Sequence, residues 1–182
     1  MGYALNELAN LPVDDSVNFY IFAINGTYRE PLYDMISNNF INIARQIGSN
    51  AVIAIGTNSE AFTTSVAKKY IGSGNSDRSF TELLPALLIT NSHPDKLTKD
   101  SMRLIVPLRD AEARFGGWNQ FFSLLTQFVR GENEKFIECF EKREDFIEMS
   151  NKIVQLKPNF FGLGININEF VDQWRKRRAQ AR

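Results

Sequence analysis

One cysteine and one histidine among 182 residues leave little material for thiol or metal chemistry. Cys139 has no second thiol in the chain with which to form a disulfide, and with His93 as the only imidazole a zinc site of the usual Cys/His kind cannot be assembled. No metal and no cofactor is expected. Charge of one sign is also missing: 21 basic side chains stand against 21 acidic ones. The whole molecule therefore has no field to draw it onto nucleic acid or an anionic membrane, and only local patches count. Uninterrupted apolar stretches fall far short of the roughly 18 residues that a membrane span requires. The first residues carry no basic region followed by an apolar run. The expectation is no membrane and a cytoplasmic location.

What is present is ordinary globular composition, 43% hydrophobic and 23% charged. A chain of this length buries roughly 70% of its unfolded surface without disulfide or metal staples. Residues 1–16 are mixed and read as a lead-in with room for one helical turn. Residues 17–24 (VNFYIFAI) form a nearly continuous β-rich run, as in a strand covered on both faces. Pro31 suits a first helical turn, and Leu32, Ile36, Phe40, Ile43 and Ile47 then share one helical face. Residues 51–55 predict a second buried strand, and Thr57 and Glu60 have the spacing of a capping box for a second helix with Phe62, Val66 and Tyr70 inward. Residues 86–90 and 102–106 predict two more strands, the last stopped by Pro107. Asp110 is placed to cap a third helix whose stripe is Phe115, Trp118, Phe122, Leu125 and Val129, with Phe121 and Phe128 beside it. A charged helix is expected over 132–154. A last helix is expected from Asn166, presenting Ile167, Phe170, Val171 and Trp174.

The order strand, helix, strand, helix, strand, strand, helix predicts crossovers with the first three strands parallel. The tight last link predicts an antiparallel hairpin whose second strand is an edge. Pro85, in Leu83-Leu84-Pro85-Ala86-Leu87-Leu88-Ile89, stands immediately before the third strand. This arrangement resembles the thioredoxin-like superfamily, whose members carry a cis-proline at that place beside the start of the first helix. The resemblance implies an α/β fold, a thioredoxin-like mixed four-stranded sheet with flanking helices and a helical C-terminal extension. The units would be a lead-in at 1–16, a domain at 17–130 and an extension at 131–182. It also implies a cis Leu84-Pro85 bond. The redox members hold Cys-x-x-Cys where the first strand meets the first helix, and here that stretch is Thr27-Tyr28-Arg29-Glu30-Pro31. Disulfide exchange needs a thiolate there, so the resemblance is to a non-redox member.

Candidate sites are few. Thr57, Asn58 and Ser59 follow a strand and open a helix, where free N–H groups favour an anion, but no lysine or phosphate-loop spacing accompanies them. With Thr27, Tyr28, Arg29, Glu30 and Pro85 they mark the strand–helix junctions at which the resembling fold places its active surface. His93, in a turn with no nucleophile motif near it, reads as solvated, and Cys139 among phenylalanine and isoleucine reads as packing. Arg175, Lys176, Arg177 and Arg178 form the one basic cluster, a possible phosphate contact and also a helix end that the dipole favours. Fifteen phenylalanines and two tryptophans exceed what a small sheet needs. The surplus either closes C-terminal helices over the domain or offers a groove to another protein.

These features lead to a non-redox interaction or assembly module of a larger cytosolic complex. Its protein contact would be Phe170, Val171 and Trp174, engaging a protein partner or a second copy. One alternative is a small-ligand-binding protein or enzyme at the Pro85 junction, for which no catalytic set is legible. Another is an accessory nucleic-acid contact confined to the basic tail.

Overall fold

The run FYIFAI becomes β2 (Phe19–Ile24), every residue of it buried, and in the computed structural model it is the middle strand of a five-stranded sheet. The structure describes residues 1–26, 31–71, 78–98, 101–109 and 111–141. On one side of β2 lies β3 (Ala51–Gly56), parallel to it, and beyond that β1 (Gly2–Leu5), parallel to β3. On the other side lies β4 (Ala86–Thr90), antiparallel, and then β5 (Arg103–Pro107), antiparallel to β4 at the edge. The order is β1-β3-β2-β4-β5, a mixed sheet.

Two expectations are corrected. The sheet has five strands and not four, because residues 2–5 add an edge strand to β3. The third predicted strand, β4, runs antiparallel to β2 and not parallel. The reason lies in the connection. Helix α2 (Ser59–Tyr70) already returns the chain to the end where β3 began: the Tyr70 hydroxyl donates to the Ser92 carbonyl at 2.9 Å and Arg103 Nη1 donates to the Tyr70 carbonyl at 3.1 Å, both beside the β4–β5 turn. The next described element, α3 (Arg78–Glu82), leads into β4 at the far end, where Ala86 pairs with Ile24.

Alternation along β2 separates the two covering layers. Phe22 meets Phe62 and Tyr70 of α2, with ring centroids 6.2 and 5.2 Å away, whereas Phe19, an odd number of residues distant, meets Phe128 at 5.3 Å. Phe128 belongs to α5 (Trp118–Val129), so α2 covers one face and α5 the other. Helix α1 (Pro31–Ile47) lies on the α5 side with Tyr33, Ile36, Ile43 and Ile47 buried; Leu32 and Phe40 of the predicted stripe are only half-buried. The third predicted helix is two helices. α4 (Ala111–Phe115) ends at Gly116 and Gly117, whose φ values of 76° and 115° suit glycine, and α5 restarts in a different phase. Its buried residues are Phe121, Leu124, Leu125, Phe128 and Val129, leaving Trp118 and Phe122 half-buried. α6 (Lys135–Glu141) packs Phe136 and Ile137 into the same layer. Asp110, the predicted helix from Asn166 and the basic tail lie outside the described residues. No helix among the described residues is long and apolar enough to cross a membrane.

Candidate functional site

At one end of the sheet, β2, β3 and the start of β4 converge. Gly26 lies against Leu84, 3.1 Å from its Cδ1 to the place a Cβ would take, and the Leu84-Pro85 bond is cis. The Pro85 carbonyl accepts from Leu108 N at 2.8 Å and the Leu84 carbonyl from Arg109 Nε at 3.0 Å. Thr57, Asn58 and Ser59 stand at the same end, but β2 separates them from Pro85, and their polar groups are spent inside the fold. Thr57 N donates to the Leu5 carbonyl at 2.9 Å, and its hydroxyl reaches Asn6 Oδ1. Asn58 Oδ1 accepts from Ala61 N at 3.1 Å, which makes Asn58 the cap of α2; the expected Thr57–Glu60 capping box is displaced by one residue because Thr57 is tied to the end of β1. Ser59 is buried. The Tyr33 hydroxyl is buried beside the Gly56 backbone, and burial raises its pKa. Thr27, Tyr28, Arg29 and Glu30 lie outside the described residues.

The opposite end holds a buried polar cluster that overturns the reading of His93 as solvated. His93 is 4% exposed. Its Nδ1 accepts from Asp95 N at 3.2 Å, so Nε2 carries the proton and donates to the Leu11 carbonyl at 3.1 Å. Both ring nitrogens are engaged, and the ring stands edge-on to Tyr20 at 5.6 Å. Histidine here fastens the lead-in to the β4–β5 connection; it is not a poised base. Ser92 Oγ donates to Asn91 Oδ1 at 3.0 Å or to Ser101 Oγ at 2.8 Å, so its proton is directed at these neighbours and not at His93. Two N–H donors in this cluster, Asn91 Nδ2 and Arg103 Nε, are buried without a partner.

A concavity lies elsewhere, between α1 and α5, where a groove of about 780 Å³ opens to solvent. Ile43, Met35, Trp118 and Phe122 supply its apolar floor, with the Trp118 and Phe122 rings 6.2 Å apart and 30° from parallel. Carboxamides and hydroxyls line the sides: Asn39, Asn42 and Gln46 on α1, and Asn119, Ser123, Thr126 and Gln127 on α5. Arg130 Nη2 donates to the Gln46 carbonyl at 2.6 Å and closes one end. The sequence carried a signal for this groove in two uncharged polar stripes at helical spacing, but Trp118 and Phe122 were assigned to the core. Among the described residues no group of three or more His, Cys, Asp or Glu side chains is placed to hold a metal ion. Phe170, Val171, Trp174, Arg175, Lys176, Arg177 and Arg178 lie outside the described residues.

No protein-family model, no curated protein and no solved structure matches this chain.

Proposed function

We propose that the chain is a non-redox, thioredoxin-like interaction module that binds another protein through the groove between α1 and α5. The observation that carries the binding reading is the Trp118 and Phe122 pair, whose rings are only partly buried at the edge of the core. Rings of this size normally complete a core, and at interfaces they are the side chains that concentrate binding energy. The surrounding carboxamides offer both donors and acceptors to a polypeptide backbone, and Arg45, Arg130 and Glu132 are the charged groups of the lining. Support for the fold assignment is the strand order β1-β3-β2-β4-β5 with only β4 antiparallel to its neighbours, helices on both faces, and Pro85 before β4. Support for the non-redox assignment is chemical: residues 27–31 contain no thiol, and the single cysteine sits on α6, partly buried against the core.

The test is size-exclusion chromatography with light scattering on the tagged full chain recovered from cells that make it naturally. A stable heteromeric complex is expected. Trp118→Ala with Phe122→Ala should lower the thermal midpoint without abolishing the fold, since both rings lie at the edge of the core, and lose the complex. A complex that survives this double substitution would remove the groove from the interface.

A further inference from the structure

We propose that the outer edge of β1 pairs with the β1 edge of a second copy of this chain, antiparallel about a two-fold axis at Tyr3, so that the two sheets join into one. The surface is separate from the groove and does not depend on the interaction reading. Among the described residues β1 pairs with β3 alone. The Met1 and Leu5 carbonyls accept from Ile53 N and Thr57 N, both at 2.9 Å. Along a strand the N–H and C=O groups of successive residues point to opposite edges, so those of Gly2 and Ala4 point away from β3, and both residues are exposed. The sheet's other edge is protected differently. β5 begins with Arg103 and ends with Pro107, residue types that discourage strand addition, whereas Gly2-Tyr3-Ala4-Leu5 holds no charge and no proline.

The occupant follows from the symmetry of this edge. Antiparallel pairing centred on Tyr3 sets Gly2 opposite Ala4 of the second copy and Ala4 opposite its Gly2, so every outward donor meets an acceptor and each pair exchanges both hydrogen bonds. Tyr3 falls opposite its own equivalent in the intervening pair, with Cα atoms about 4.5 Å apart, where cross-strand aromatic rings attract. An apolar shoulder flanks the strand. The place of a Gly2 Cβ is 2.6 Å from Ala44 Cβ and 3.0 Å from Phe40 Cζ, so α1 lies directly on Gly2. Ile41, one turn before Ala44 on α1, is 69% exposed. The two-fold brings both shoulders to one face of the joined sheet, and a net charge of zero leaves no long-range repulsion between copies. So short an edge buries less than the roughly 1,200 Å² of a standard interface, so the dimer is weak, half-formed at roughly 10–100 µM.

Sedimentation equilibrium of the purified full chain should show monomer and dimer in reversible exchange over that concentration range. Ala4→Pro removes an N–H that points outward and not to β3, so it should leave the thermal midpoint within a few degrees and weaken the dimer at least tenfold. Ile41→Lys places like charges on the shoulder at a position already exposed and should weaken it similarly with the fold intact. A cross-link tests the register. In Cys139→Ser, Tyr3→Cys should oxidise readily to a disulfide-linked dimer, because Cα atoms about 4.5 Å apart suit the bond. Ala4→Cys in the same background should not, since its two copies would stand about 8–9 Å apart. A chain that stays monomeric throughout the range overturns the proposal, as does a dimer that survives both Ala4→Pro and Ile41→Lys. Links that form at Ala4→Cys as readily as at Tyr3→Cys refute the two-fold at Tyr3.

Discussion

Tyr70 shows how a single buried phenol couples this fold to pH. Its hydroxyl donates to the Ser92 carbonyl, its ring packs on Phe22, and burial holds its pKa far above the ordinary phenol value. Burial raises Tyr20 and Tyr33 as well. A phenol whose folded pKa exceeds its unfolded one keeps its proton in the native state while the unfolded chain ionises. Stability is thus intact below about pH 10 and lost as pH rises beyond it, at about 1.4 kcal/mol per pH unit for one such group. Urea midpoints should be level from neutrality to about pH 9 and fall above about pH 10. Tyr70→Phe should cost about 1 kcal/mol at neutral pH for the lost hydrogen bond and flatten the alkaline fall. His93 makes a contrasting case. His93→Ala removes both hydrogen bonds and leaves a cavity beside Tyr20, so a loss of about 2–4 kcal/mol in urea unfolding is expected. Asp95, 72% exposed with its carboxylate 3.8 Å from Nδ1, should tolerate alanine within about 0.5 kcal/mol.

Between elements, the tightest junction is that of β3 with α2. A Cβ on Gly56 would stand 2.3 Å from Phe62 Cβ and 2.9 Å from the Asn58 carbonyl oxygen, so the helix start must shift to admit any side chain. Gly56→Ala should lower stability by about 1–3 kcal/mol, read from the thermal midpoint. Nothing in the sequence reveals this approach, although the elements on either side of it are plain. β2, β3, β4, β5, α1 and α2 follow from apolar runs and the 3.6-residue period because each buries a continuous face. β1 leaves no such trace: of its four residues only Leu5 is buried, and the strand exists because β3 offers a free edge. The direction of β4 depends on a return path, and the phase of α5 depends on how Gly116 and Gly117 turn. Both are set by tertiary closure. For the same reason only the polar stripes of the groove are legible in the sequence: with one unbroken helix Trp118 and Phe122 would share the buried stripe, and only the restart places them at the rim.

For the molecule as a whole, the sharpest test falls on the proposed lack of redox activity. Thiol–disulfide exchange requires a thiolate that attacks a disulfide and, to release the mixed disulfide, a second thiol near it. A thiolate at neutral pH needs an electropositive or helix-N-terminal setting that lowers its pKa. Residues 27–31, which precede and open α1, supply no sulfur. The only cysteine, Cys139, occupies the interior of the seven-residue α6, partly buried against the core. Even if it formed a mixed disulfide, the chain has no second cysteine to resolve it. The full chain should therefore add nothing to the rate at which dithiothreitol reduces insulin, followed by turbidity, and Cys139→Ser should leave both that trace and partner binding unchanged. A rate above the dithiothreitol background that disappears in Cys139→Ser would show that one thiol suffices here and would end the non-redox assignment. A serine variant that stays folded and redox-silent but loses its partner would instead move α6 into the interface, next to the groove that Phe121 and Phe122 connect to it.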